Sequence, residues 1–293
     1  MGIALTDDHR ELAAVARDFL AAQNARAGAR ALLEAPTEAL PEFWPALAEL
    51  GWLGLHLPES YGGSGFGLPE LVVVVEELGR AVAPGPFVPT VAASAAIDAC
   101  GTPEQRDRLL PGLIDGTRTA GIGFDTALTV ADGVADGDAG LVLGAGLADV
   151  LLLAVGDDVL VLDRRRAGVS VEIPNNIDPS RRTGRVRLTG VAVTGDDILV
   201  GARTAALAFA RTLLAAEAVG GASDCVTTAV DYAKVREQFG RTIATFQAVK
   251  HHCANMLVAA ESAIAVVWDA ARAAADSGPE FVLMAAAAAA EAL

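Results

Sequence analysis

A double change of hydrophobic period governs what this sequence can fold into. From Thr6 to about residue 115 apolar side chains recur at helical spacing, as Leu12, Val15, Phe19 and Leu20 do. From about 117 to 200 short apolar runs alternate with Gly and Asp turns, and from about Arg203 the helical period returns and runs to the end. Such a chain must bury helices, then a small sheet, then helices again. The expected class is α+β, mostly α, with an N-terminal helical domain over 1–116, a central small β domain over 117–200 and a C-terminal helical bundle over 201–293. The apolar fraction is 53% but aromatics supply only 5%, so contacts must fall between small side chains, which suits close-packed helices.

Local signals place the elements. Thr6 is an N-cap candidate, and Thr102-Pro103-Glu104 pairs a cap with proline at the first helical position, as Pro69 also does for its helix. Helices are expected at 38–50, 69–83, 88–100 and 103–114, then at 203–238 and 242–276, with breaks at Gly240 and at Ser277-Gly278-Pro279. The last helix, from Pro279 toward Leu293, stops without a capping signal. Strands are expected at Ala120–Phe124, Val150–Val155 and Val159–Leu162, with Gly156-Asp157-Asp158 as a hairpin connection and Arg185-Val186-Arg187-Leu188 half exposed. The glycine-rich stretch Pro58–Gly67 has neither a preceding strand nor a terminal Lys-Ser/Thr pair, so it is a structural turn rather than a phosphate cradle.

Charge and composition exclude several functions. A net charge of −15 leaves no clustered Lys and Arg to track nucleic-acid phosphates. Cys100, Cys225 and Cys253 lie far apart, which indicates neither a zinc site nor a disulfide framework and points to a reduced, cytoplasmic setting. The start, Met1-Gly2-Ile3-Ala4, lacks the basic and apolar regions of a secretory signal, and its formal match to an acylation pattern is set aside. No apolar run reaches the roughly 18 residues needed to span a bilayer, so no membrane association is expected.

The run Arg236-Glu237-Gln238-Phe239-Gly240, with Phe246-Gln247 beyond it, resembles a signature of the acyl-CoA dehydrogenase family. Leu50–Glu59 with its glycine loop, Glu76–Arg80, and Thr102–Gln105 with Leu110–Leu113 agree in order, so the resemblance spans essentially the whole chain. It implies FAD as cofactor and an acyl-CoA thioester as substrate. It also implies that Arg236, Gln238, Phe239 and Gln247 reach across a subunit interface to a neighbour's FAD. A guanidinium fork suits diphosphate oxygens, an aromatic ring can lie on a flat cofactor, and a carboxamide can bond polar edges. The plain alternative is a surface ion pair for Arg236 and core filling for Phe239.

The sequence departs from the family where a flavin's own pocket is built. Phe124–Val130 stands in place of the family's Thr-Glu-Pro-x-x-Gly-Ser segment, and Gly140–Gly146 in place of Trp-Ile-Thr. The dehydrogenation also needs a carboxylate base. One family position lies beyond Leu293 and the other falls on Ala210, which leaves Glu217 as the candidate, with a structural role as its alternative. These features together imply a shortened subunit of the heteromeric actinobacterial type. It would sit in an α2β2 heterotetramer with a homologous subunit, or in a homotetramer, and pass electrons to an external acceptor. A non-catalytic structural subunit, or a homo-oligomeric flavoenzyme acting on a non-CoA substrate, stays open.

Overall fold

The structure is a computed structural model that describes residues 5–276 and 278–292. The Met1–Gly2 pattern, Ser277 of the expected break and the end at Leu293 lie outside the described residues. The N-terminal helices are α1 (Asp7–Ala22), α2 (Ala25–Leu32), α3 (Trp44–Glu49), α4 (Leu68–Ala81), α5 (Phe87–Cys100) and α6 (Pro103–Ile114). Thr6 and Thr102 both cap as their sequence suggests, each in a reciprocal box with the residue three places on. The helix expected at 38–50 shrinks to α3, because Pro45 sits in its first turn and Gly51 ends it in the left-handed region at φ 74°.

The glycine-rich stretch spends its amides internally. Gly63, Ser64, Gly65 and Phe66 donate to the carbonyls of Pro58, Gly54, Leu57 and Leu55, so no cradle of free N–H groups is left for a phosphate.

The strands are β1 (Ala120–Gly123), β2 (Ala127–Ala131), β3 (Val134–Leu143), β4 (Val150–Val155), β5 (Asp158–Asp163), β6 (Val169–Glu172), β7 (Thr183–Ala192) and β8 (Ile198–Leu199). They form one sheet in the order β6-β7-β3-β1-β4-β5-β8, with β2 added on β3. Only β1 and β4 pair in parallel, and the other pairs are antiparallel. The β4–β5 hairpin closes at Gly156-Asp157, and Asp132-Gly133 turns β2 into β3 with both residues at positive φ, the geometry that an Asp-Gly pair favours. Along β4, Val150 and Leu152 face the helical core while Leu151 and Leu153 face a second core. Burial on both faces explains why this strand is an unbroken apolar run.

Then follow α7 (Arg203–Val235), the two-residue strands β9 (Glu237–Gln238) and β10 (Arg241–Thr242), α8 (Gln247–Ala273) and α9 (Pro279–Glu291). The expected helix at 203–238 ends at Val235, and the one at 242–276 begins at Gln247. Between them the chain makes a tight hairpin instead of a single break. α7 and α8 are also long and apolar enough, by length and composition, to cross a membrane. No unbroken apolar run is needed to meet that test, because the sparse charges interrupt the runs without lowering the average. More than half of α7's most apolar window is buried in the fold.

α4 and α7 touch backbone to backbone at one point of their crossing. A Cβ at Gly79 would lie 2.0 Å from the Glu217 carbonyl oxygen, and one at Gly220 would lie 2.0 Å from that of Glu76. Beyond this crossing the ends of α7 and α8 project from the core, and no residue of α8 before Ala260 is buried.

Candidate functional site

The residues singled out by sequence fall in two places, one on α7 and one just beyond its end. The first lies near its middle, where Glu217 lines a cavity of about 140 Å³ with Glu38, Arg181, Asp178, Leu143 and Gly144. Four distant segments meet α7 there: the 33–43 connection before α3, residues 85–89 at the start of α5, the end of β3, and the 173–182 segment between β6 and β7. Arg181 forms an ion pair with Glu217, whose side chain is 11% exposed, and lies 3.8 Å from Asp178. Burial pushes the Glu217 carboxyl up from its ordinary range, and the Arg181 charge opposes that shift.

Glu38 was not legible as a site residue. Its Oε1 accepts from the Arg182 backbone amide at 3.1 Å, while Oε2 is buried with no hydrogen-bond partner among the described residues. Burial raises its pKa too. Arg181 and Leu214 also line a second cavity of about 370 Å³, so the Arg181–Glu217 pair stands between the two spaces.

The first cavity does not fit a flavin ring. Its volume lies well under the ~300 Å³ at which small-molecule sites begin. Leu143 and Gly144, from the stretch that replaces the flavin-packing segment, form one wall, and the Arg181–Glu217 pair forms another. Among the described residues no hydroxyl or amide side chain lines it for the polar edges of a ring.

The second place is the hairpin after α7. Gln238 pairs with Arg241 across it, and the connecting Phe239 and Gly240 both have positive φ, 54° and 75°. A bulky side chain in the left-handed region is strained. Phe239 is 92% exposed and touches Phe246 edge-on at 6.1 Å, so it does not fill the bundle core. Arg241 stacks over the Phe246 ring at 4.2 Å. The Arg236 guanidinium has no hydrogen-bond or ion-pair partner among the described residues, Gln238 bonds only its neighbour's carbonyl, and Gln247 is exposed at the first position of α8. A free guanidinium, an exposed aromatic ring and two exposed carboxamides, one of them bonded only to its neighbour's carbonyl, are thus presented in one stretch, a set that fits a diphosphate joined to a flat ring system.

These two places cannot serve one ligand within the chain. From Glu217 to Val235 the helix rises about 27 Å, and Arg236 follows at its end.

Comparison with known proteins gives a consistent picture. The family model for the acyl-CoA dehydrogenase N-terminal domain matches residues 6–117, and that for the C-terminal domain matches residues 201–293. Acyl-CoA dehydrogenase FadE34 of Mycobacterium tuberculosis is 40% identical over 88% of this chain, which spans 35% of FadE34's length. Acyl-CoA dehydrogenase IpdE2 of Mycolicibacterium smegmatis is 34% identical over 82% of this chain and 69% of its own length. Among solved structures, the Tcur3481-Tcur3483 steroid ACAD G363A variant superposes with a TM-score of 0.87 at 31% identity, covering 97% of this chain and 82% of that one.

Proposed function

The chain belongs to the acyl-CoA dehydrogenase family, and from that premise we propose that it is one subunit of a heteromeric, FAD-dependent acyl-CoA dehydrogenase, gripping a partner's cofactor while holding none in its own cavity. One observation carries the reading: an uncommitted Arg236 and a 92%-exposed Phe239 at the tip of a hairpin, far along α7 from the closed cavity at Glu217. FAD, when bound, supplies the hydride acceptor for α,β-dehydrogenation of an acyl-CoA thioester, with the α-proton passing to a carboxylate.

The residues of this chain act by binding and positioning. Arg236 offers donors to diphosphate oxygens, Phe239 covers a flat face and excludes water there, and Gln238 and Gln247 bond polar edges. In its own cavity Arg181 holds Glu217 in an ion pair, which keeps that carboxylate from acting as a base while the pair stands. The pairing of two components in the Tcur3481-Tcur3483 relative supports a heteromer, and its steroid substrate supports a bulky acyl group here. An α2β2 assembly with a homologous subunit, in the cytoplasm, with an external electron acceptor, completes the proposal.

The test is purification of the chain alone and coexpressed with a homologous subunit, reading flavin absorbance per chain and native mass. Stoichiometric FAD and acyl-CoA turnover in the lone chain would sink the proposal. The Arg181–Glu217 pair favours a second reading, a subunit with no catalytic part at all. Unchanged flavin content and turnover of the complex on Arg236→Ala, together with an unchanged pH–rate profile on Glu217→Gln, select it.

A further inference from the structure

A groove of about 620 Å³ lies between α1, α2, α4 and α7 and shares no lining residue with the two cavities beside Glu217. Four arginines line it, Arg17, Arg26, Arg30 and Arg80, against two carboxylates, Glu77 and Asp224. In a chain of net charge −15 this is a local excess of positive charge.

Three of the four guanidiniums are fixed. Arg17 bonds the Glu77 carboxylate through Nε at 3.1 Å and Nη2 at 2.7 Å, and Arg80 lies 3.5 Å from the same carboxylate. Arg26 donates from Nη2 to the Arg80 carbonyl at 2.6 Å and to Asp224 at 2.7 Å. Each keeps N–H donors that these partners do not use, and the Arg80 Nε is buried with no hydrogen-bond partner among the described residues. Arg30 has neither an ion-pair nor a hydrogen-bond partner among them, and it is exposed at the rim. Leu20 and the alanines 21, 25 and 81 form apolar walls.

Fixed donors around an apolar floor select a molecule with an anionic head and a hydrocarbon body. We propose that this groove binds such an amphipathic anion, a carboxylate or phosphate on a short apolar chain, with Arg30 and Arg26 on the head group. The site is independent of the flavin-gripping hairpin and stands whether or not the chain proves to be a dehydrogenase subunit.

The full-length chain would be titrated calorimetrically with octanoate, octyl phosphate and, as the uncharged control, octanol. Saturable binding of at least one anion is expected, none for octanol, and the stronger of the two anions identifies the head group. Arg30→Ala touches no internal contact, so it keeps the melting temperature and should weaken binding by at least about fivefold. An Arg26→Gln variant that still folds should do the same. Failure of both anions to bind saturably overturns the proposal. So does binding that Arg30→Ala leaves unchanged, which would place the anions on the exposed apolar surface of α8.

Discussion

Replacing Phe239 with asparagine separates what the hairpin needs from what the cofactor needs. In the lone chain Phe239 is 92% exposed, and its one ring contact is with Phe246 at 6.1 Å. Losing that contact costs about 0.5–1.5 kcal/mol. Against it, a phenylalanine at φ 54° carries about 1–2 kcal/mol of left-handed strain, and Asn-Gly is the pair that this turn type favours. Phe239→Asn should therefore leave the lone chain as stable as before, or more stable by up to about 1 kcal/mol, measured as the urea midpoint at constant slope. In the complex the balance reverses. An aromatic ring that becomes fully buried on a cofactor contributes about 1.5–3 kcal/mol, so the variant should hold flavin roughly 10- to 100-fold more weakly, read by flavin release on dilution. If the lone chain instead loses more than about 1 kcal/mol while the complex keeps its flavin, Phe239 is a structural residue and the argument from its exposure is wrong.

Other perturbations test the interior. Burial pushes the Glu76 carboxyl up from 4.5 to about 7, although the Trp268 indole N–H donates to it at 3.1 Å. The folded chain holds this proton more tightly than the unfolded one, so the stability it contributes is full below pH 4.5 and is lost as pH rises to about 7. Glu76→Gln, which keeps the Trp268 bond, should raise stability at pH 8 by at most about 3 kcal/mol and leave it unchanged at pH 4; equal effects at both pH values would contradict the assignment. Arg181→Leu strips Glu217 of its countercharge and should cost about 3 kcal/mol at pH 8 but less as pH falls, because burial raises the carboxyl's pKa and favours its neutral form; a cost that does not change with pH would mean that only packing was lost. Gly79→Ala should cost about 3 kcal/mol or more by driving a methyl into the Glu217 carbonyl, and an unchanged thermal midpoint would show that the helices can separate freely.

Much of the scaffold was legible because its signals are local. The Thr6 and Thr102 caps, the run of β4 and the Gly156-Asp157 turn each depend on side chains within a few positions of one another. The hairpin at Phe239 was legible as a family signature but not as a shape, since helical spacing carried the expectation past Val235 and nothing local announces a phenylalanine at positive φ. The cavity was legible only through Glu217. Glu38 and Arg181 come from segments without periodicity, and only the closure of the β domain onto the helices brings residues 38, 181 and 217 together.

The α4–α7 crossing decides which wall of that cavity can move. With carbonyl oxygens seated where Gly79 and Gly220 have no side chains, the two helices at this point lack the soft layer of rotatable groups along which packed helices usually slide. Glu217 is therefore anchored by its own backbone. Arg181 rides on the irregular 173–182 segment, tied there to Asp178. Any widening of the cavity therefore has to come from its other walls, and since Arg182 bonds the Ala35 and Pro36 carbonyls and Glu38, the 173–182 and 33–43 segments would have to shift together.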